Sequence, residues 1–146
     1  MSKEFKRLIE LTEADYNALA KFPCKIVKEK RRESVLPYYY AIVMIGRLNC
    51  RVKIDEAEAI KVSLKLNLPD VPKEMRLNVR ARLSFGEKTN GEKYHLVEVT
   101  FGRNMSHSFF LDENQVDVLT YDKEVSKLWV LRPDKEINAT DVIDRD

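Results

Sequence analysis

The stretch HSFFLDENQVDVL (107–119) decides the fold, because it predicts a strand that runs directly into a capped helix. A strand-like run ends at Leu111, and the apolar residues beyond it have helical spacing. Asp112 stands at the junction, where a carboxylate oxygen can accept hydrogen bonds from the free N–H groups of a first helical turn. Gln115, three residues later, suits the reciprocal half of a capping box.

The same phrase occurs twice more in the chain, as RVKIDEAEAIKV (51–62) and LIELTEADYNAL (8–19). Its N-cap positions are then Asp55 and Thr12, and both residue types are good helix N-caps. A glutamate follows each cap directly, which favours a helix N-terminus electrostatically. One copy could arise by chance, but three agreeing copies indicate a repeated structural unit.

Two of the copies extend further back along the chain. YYYAIVMIGRLN (38–49) precedes the copy at 51–62, and YHLVEVTFGRN (94–104) precedes the copy at 107–119. Both begin with an aromatic residue and continue through an apolar run to Gly-Arg. The offset is 56 residues at the glycines and 57 at the capping aspartates, so the alignment needs one single-residue slip.

These patterns predict an α+β protein in which two similar βββα units form a pseudo-symmetric, largely antiparallel sheet. The predicted strands are 5–11, 24–30, 38–46, 48–54, 76–85, 94–102, 104–111 and 127–132, and the predicted helices are 13–21, 56–66 and 113–124. Asn90-Gly91 between two candidate strands predicts a hairpin turn. The predicted segments are an N-terminal strand-helix (1–23), the first βββα unit (24–66), a linker (67–75), the second βββα unit (76–124), and a C-terminal strand with an acidic tail (125–146).

Composition limits the class of protein. The chain has 146 residues, of which 44% are hydrophobic, so it can bury a sizeable core. No segment resembles a signal peptide, and no run approaches the roughly 18 apolar residues of a membrane span. We therefore expect a cytoplasmic protein without a membrane partner. Cys24 and Cys50 are isolated in sequence, and buried thiols are a simpler interpretation than a disulfide or a site.

The net charge of +2 conceals an uneven distribution of charged residues. Residues 25–53 contain eight Lys or Arg against two acids, and residues 73–103 contain seven against four. The strand at 76–85 alternates, with apolar residues on one face and Arg80, Arg82, asparagine and serine on the other. This period of two predicts one core face and one solvent-facing basic face. A one-sided basic surface attracts a polyanion even when the net charge is small.

Aromatic residues, among them Tyr38, lie within the basic strands. Proteins that bind single-stranded nucleic acid combine a positive groove with flat side chains on which bases stack, at about 1–3 kcal/mol per base. Two ordinary interpretations compete, because an arginine-rich strand face is often only solvated and a tyrosine cluster often belongs to the core. The coincidence of both features on one face, in both repeats, favours the nucleic-acid interpretation.

The sequence offers little for catalysis. It contains two histidines, and His107 alternates with apolar neighbours, which favours a packed or partner-facing side chain. No Cys/His set has zinc spacing, and the four glycines do not form a phosphate-cradling loop. No serine or cysteine has a recognisable nucleophile context, and helix capping explains the paired carboxylates. We therefore predict a protein that is not an enzyme, without catalytic residues, metal or cofactor.

The strand-helix segment that contains Leu111, Glu113, Gln115 and Leu119 resembles the C-terminal part of PC4-like and Whirly-like single-stranded DNA-binding domains. Those domains are curved antiparallel sheets whose units end in a helix after a phrase of the type apolar-x-x-Glu-Gln-x-x-x-Leu. The PC4-like unit has four strands before its helix, whereas three are predicted here. The resemblance implies single-strand binding through the basic face of the sheet, and the matching strand positions are Arg47, Arg51, Lys53, Arg80, Arg82 and Arg103.

The predicted function is non-catalytic binding of single-stranded nucleic acid through a basic, aromatic-bearing sheet face. The predicted binding residues are Lys30, Arg31, Arg32, Tyr38, Arg47, Arg51, Lys53, Arg80, Arg82 and Arg103. The alternative is a protein-binding adaptor or inhibitor, for example one encoded by a mobile element, that uses the same face against an acidic or nucleic-acid-binding partner. The sequence leaves open DNA versus RNA, and whether the protein forms a homo-oligomer.

Overall fold

The computed structural model describes residues 6–30, 36–102 and 105–133 of the chain. Within these ranges the protein is α+β and its strands pair mostly antiparallel, as predicted. The strands are β1 (Ala20–Glu29), β2 (Tyr38–Ile45), β3 (Leu48–Ile54), β4 (Glu74–Glu87), β5 (Lys93–Thr100), β6 (Ser106–Phe110) and β7 (Trp129–Leu131). The helices are α1 (Glu13–Asn17), α2 (Glu56–Lys65), α3 (Glu113–Thr120) and α4 (Lys123–Ser126).

The chain divides into two compact units. Unit A comprises Phe22–Val79, and unit B comprises Met1–Lys21 together with Arg80–Asp146. The predicted linker at 67–75 lies within unit A, where its residues form neither helix nor strand until β4 begins. The division between the units instead falls inside β4, between Val79 and Arg80.

Unit A is built on an antiparallel meander. β2 pairs with β1 on one side, where Cys24 faces Val43, and with β3 on the other, where Val43 faces Cys50. Residues that face each other across paired strands share one side of the sheet, so these buried side chains define the core face. α2 contacts β2 and buries Ala59 and Val62.

Unit B contains a second antiparallel meander. β5 pairs with β4, where Ala81 faces Val99, and with β6, where Val99 faces His107. The predicted Asn90-Gly91 turn lies between β4 and β5, and Gly91 has a φ of 89°, which glycine adopts without strain. β7 adds a short parallel pairing to β4.

The two meanders differ by one residue in the loop before their last strand. In unit A, Ile45 faces Leu48 across a two-residue turn in which Gly46 has a φ of 59°. In unit B, the N–H of Phe101 donates to the carbonyl of Met105 at 2.9 Å, which leaves three residues between them. The single-residue slip that the sequence alignment requires therefore falls in this loop.

All three predicted helix caps are present. The side-chain oxygens of Thr12, Asp55 and Asp112 accept from the backbone N–H three residues later, at 3.1, 2.7 and 2.8 Å. The two aspartates complete capping boxes, because their own N–H groups donate to Glu58 at 3.3 Å and to Gln115 at 2.9 Å. The capping prediction is confirmed in every copy of the phrase.

Three predicted elements differ from the structure. The strand predicted over 5–11 is wrong in its described part, because Leu8–Glu10 form a 3-10 turn closed by local backbone hydrogen bonds of 2.9 and 3.3 Å. The helix predicted over 13–21 is shorter, because β1 begins inside that range. The helix predicted over 113–124 is interrupted, because Asp122 caps a new helix, α4.

Both cysteines are free and buried within unit A, so the prediction of buried thiols is confirmed. Burial raises the pKa of the Cys24 thiol to about 12, although a backbone hydrogen bond involving Ile42 partly opposes this shift. Burial also raises the pKa of the Cys50 thiol to about 12. Both thiols are therefore neutral near pH 7 and poorly reactive, since the thiolate is the nucleophile.

Replacing Asp112 by Ala should lower the free energy of unfolding by about 1 kcal/mol, because the N–H of Gln115 in the first turn of α3 loses its acceptor. Asp117→Ala is the matched control, since Asp117 is exposed in the middle of the same helix. Urea denaturation of both variants measures the effect. Equal stabilities of the two variants would show that the capping box contributes nothing.

The buried thiols should also make the stability depend on pH in the alkaline range. Because their folded-state pKa lies above the ordinary value of 9.0, their contribution is complete below pH 9.0 and is lost as the pH rises toward about 12. A Cys24→Ala/Cys50→Ala variant removes that part of the pH dependence, whatever its cavity costs at neutral pH. Urea titrations near pH 8 and 10 test this, and identical pH slopes for variant and wild type would refute it.

Candidate nucleic-acid interface

The structure places the predicted binding residues in different surroundings. Arg31, Arg32 and Arg103 lie outside the described residues. Unit A holds Lys30, Tyr38, Arg47, Arg51 and Lys53, and unit B holds Arg80 and Arg82. The predicted residues are thus divided between the two units, and their surroundings differ.

Strand register puts Tyr38 and Tyr40 of β2 on one side of the unit A sheet with Arg51 and Lys53 of β3, opposite the core face that contains Tyr39. Tyr40 of β2 faces Lys53 of β3, and Ile42 faces Arg51. The alternate residues of these strands, such as Val52, are buried on the core side. We call this side of the unit A sheet the tyrosine face. The β2 residues on it are Tyr38, Tyr40, Ile42 and Met44.

Each cation of β3 lies over a tyrosine ring. The guanidinium carbon of Arg51 is 3.8 Å from the ring centroid of Tyr40, and the ammonium of Lys53 is 5.2 Å from that of Tyr38. Such contacts contribute about 0.5–1 kcal/mol at exposed sites. Arg51 also donates to Glu29 at 3.0 Å, and its side chain is still 52% exposed. Tyr40 is 9% exposed, so the half-buried Tyr38 presents the more accessible ring.

Further cations border the tyrosine face at its ends. Lys30 follows the last residue of β1, next to the pair formed by Glu29 and Tyr38, and it is exposed. Arg47 is exposed in the turn at the opposite end of β2. The tyrosine face of unit A therefore has a cation at each end in addition to those on β3.

A second group of charges lies on this unit and was not predicted. Arg76 donates to Glu74 at 3.0 Å and is 78% exposed, and Lys25 lies 3.9 Å from the same carboxylate. An open depression of about 320 Å³ is lined by Pro23, Cys24, Met44, Arg76, Leu77 and Asn78. Met44 lies on the same side of β2 as Tyr38 and Tyr40, because it is an even number of residues from both. This alternation is the sequence signal that could have identified Met44.

The arginines of unit B are engaged by their own unit. Arg82 donates through Nε to Glu98 at 2.9 Å and through Nη1 to the carbonyl of Lys6 at 2.7 Å. The side chains of Arg82 and Glu98 are 10% and 9% exposed. Arg80 donates to the carbonyls of Asn17 and Leu19 at 2.7 and 2.9 Å.

The expectation that this face of β4 is solvated is therefore wrong for Arg82 and for Ser84, which is fully buried. Residues 6–19 lie against the face and supply carbonyl acceptors to the guanidinium groups. A guanidinium can be buried in this way because its donors find acceptors and its charge finds a carboxylate. Alternation in the sequence showed which side chains share a face, but not that the face is covered.

Other kinds of site have little support in the part of the chain that the structure describes. His95 packs edge-on against Trp129, with ring centroids 5.0 Å apart, and burial lowers its pKa. His107 packs against Phe101 at 5.9 Å. Among the described side chains, no three His, Cys, Asp or Glu residues are grouped so that they could hold a metal ion. None of the described helices has the length and apolar character needed to cross a bilayer.

Replacing Arg82 by Gln should lower the free energy of unfolding by about 3 kcal/mol, because Glu98 stays buried without its main partner. Removing one partner of a buried ion pair costs about 3–5 kcal/mol. We expect the low end of that range, since Arg132 still lies 3.9 Å from the Glu98 carboxylate. Arg76→Gln, on the same strand but exposed, is the control and should change stability by less than about 1 kcal/mol. Urea denaturation distinguishes the two, and equal effects would contradict a structural role for Arg82.

The chain was also compared with known proteins. No family model, no curated protein and no solved structure matches it. The resemblance to PC4-like and Whirly-like domains thus stays a prediction that depends on the strand-helix phrase alone. Function is inferred below from the geometry of the tyrosine face.

Proposed function

We propose that this protein binds single-stranded nucleic acid without catalysis, through the tyrosine face of unit A. The observation that carries the proposal is the pairing of ring and cation across β2 and β3, with Arg51 over Tyr40 and Lys53 over Tyr38. Base-stacking surfaces next to phosphate-binding cations are the two elements that single-strand binding requires.

Each component of the face has a defined role in this proposal. Arg51 and Lys53 contact phosphates, and the accessible ring of Tyr38 stacks on a base. Arg47 and Lys30, at the two ends of β2, extend the positive path. β2 has eight residues and is therefore about 26 Å long, enough for several nucleotides in an extended strand.

The two carboxylates on this side reduce its charge but do not cancel it. Glu29 neutralises Arg51 in part, and Glu74 is shared between Arg76 and Lys25. These ion pairs are 35–78% exposed, so each contributes little to stability and can be exchanged for a phosphate at small cost. Among the described residues, no carboxylate forms an ion pair with Lys53, which makes it the cation of β3 most available to a ligand.

We also propose that units A and B contain copies of one duplicated βββα element, related to the PC4-like and Whirly-like domains. Three features support this: both meanders have antiparallel neighbours in sequence order, both lead into a helix with an aspartate capping box, and they differ by one residue in one loop. The described surfaces of the two copies differ, because Arg51 of unit A is half-exposed beside a tyrosine whereas Arg82 of unit B is buried.

Changing Arg51 and Lys53 together to Gln should weaken binding of a single-stranded oligonucleotide and flatten the log–log salt plot by about 1.4, for two lost phosphate contacts. Lys61→Gln/Lys65→Gln removes the same charge from exposed positions on α2 and is the control. Fluorescence anisotropy at several salt concentrations measures both. Equal salt slopes for the two variants would place binding elsewhere on the molecule.

A protein-binding adaptor or inhibitor is the second candidate function. The observation that favours it is the exposure of Ile60 and Leu64, one turn apart on α2, at 42% and 65%. Neighbouring apolar side chains on an exposed helix are typical of a helix-mediated contact. If the wild-type protein shows no binding to single-stranded oligonucleotides at low salt, the nucleic-acid proposal fails and this alternative takes its place.

A further inference from the structure

We infer that residues 6–19, here called the strap, cover a second phosphate-binding site in unit B and are displaced from it by single-stranded nucleic acid. The site consists of the guanidinium of Arg80 and the Nη1 group of Arg82, which donates to the carbonyl of Lys6 in the strap. This inference rests on the proposed function, which it extends from the tyrosine face to a site that the strap keeps closed.

The strap is held by polar contacts and by partial burial of four side chains, those of Leu8, Leu11, Tyr16 and Leu19. No residue between 6 and 19 is buried, and Ile9 is 72% exposed. Neither the 3-10 turn nor α1 places a side chain in a core. Segments with few buried apolar contacts open at low free-energy cost, so the strap is among the first parts of unit B expected to detach.

The contacts that do hold the strap are ones that a phosphate can replace. Three strap carbonyls, those of Lys6, Asn17 and Leu19, accept from the two arginines at 2.7–2.9 Å. The guanidinium of Arg80 also lies 5.6 Å from the ring of Tyr16. A carbonyl is a neutral acceptor, whereas a phosphate carries negative charge and can accept two parallel hydrogen bonds from a guanidinium.

Charge also favours exchange at Arg80. No carboxylate of a described residue lies within ion-pair distance of its guanidinium, whereas Arg82 keeps Glu98 at 2.9 Å. Arg80 would therefore gain a counter-ion when the strap leaves. The strap carries Lys6 and Arg7 against Glu10, Glu13 and Asp15, so its net charge is −1 and an approaching polyanion repels it weakly.

The strap can be loosened in the full-length chain without changing either arginine. Tyr16→Pro removes the hydrogen bond from the N–H of residue 16 to the carbonyl of Thr12, which is 2.9 Å long, and it removes the ring next to Arg80. Tyr121→Ala is the control for loss of an accessible tyrosine, since Tyr121 is 87% exposed. Thermal melts verify that both variants are folded.

The expected result is tighter binding of a poly-dT oligonucleotide by Tyr16→Pro than by wild type or Tyr121→Ala. One added phosphate contact steepens the salt slope by about 0.7 and raises affinity about fivefold near 0.1 M salt by counterion release. Adding Arg80→Gln to Tyr16→Pro should abolish the gain. In wild type, the oligonucleotide should speed hydrogen exchange of strap amides, and this readout does not depend on any substitution.

The outcomes separate the two proposals. If wild type binds through Arg51 and Lys53 while Tyr16→Pro gives the same affinity and slope, and strap exchange is unchanged, the strap inference is wrong and the proposed function stands. If Tyr16→Pro binds more tightly but Arg51→Gln/Lys53→Gln has no effect, the tyrosine face is not the interface and the strap inference stands. Absence of binding by every variant overturns both.

Discussion

The antiparallel register of β2 with β1 and β3 is the constraint on which unit A depends. β2 carries large side chains on both sides, and it pairs with β1 along one edge and with β3 along the other. The register that sets Val43 between Cys24 and Cys50 in the core also sets Tyr40 beside Lys53 on the other side. One hydrogen-bonding pattern thus determines both the core face and the candidate interface. A shift of the strand register by one residue would exchange the side chains on the two faces.

Arginine serves two purposes in this chain, and its surroundings decide which. Arg51 lies over the ring of Tyr40, and half of the arginine side chain is exposed. Its position is therefore fixed by a contact, but a ligand can still reach it. Arg82 is buried against Glu98 and a backbone carbonyl, so it contributes to the fold. A count of basic residues along the sequence therefore overestimates the cations that a polyanion can reach, because donors used within the protein are included in it.

The two meanders have the same local arrangement of strands and helix, but their surfaces differ. Each has three antiparallel strands and a helix with an aspartate cap, and these features depend on neighbours in sequence. In unit B, however, residues 6–19 cover the basic face of β4 and both sides of β5 contain buried residues. Residues 6–19 lie outside both meanders in the sequence, and their carbonyls bind the arginines of β4, which makes this face contribute to the fold of unit B.

The sequence by itself determined the local features of this protein. Capping by Asp55 and Asp112 and the turn at Asn90-Gly91 depend on residues three or four positions apart, so their chemistry can be read directly. Alternation likewise placed Arg51 and Lys53 on one face of their strand, because side-chain direction in a strand follows from its geometry. That Tyr38 and Tyr40 share this face followed from the register of β2 with β3.

Only the tertiary structure decided which of the predicted residues are accessible. Arg82 is bound by Glu98, 16 positions away, and by Lys6, 76 positions away, and no local pattern encodes either contact. The first copy of the repeated phrase failed as a strand for a related reason: its cap formed, but its preceding residues closed a 3-10 turn through local hydrogen bonds. A strand and a buried charge both need partners distant in sequence, and those partners are brought together only when the chain folds.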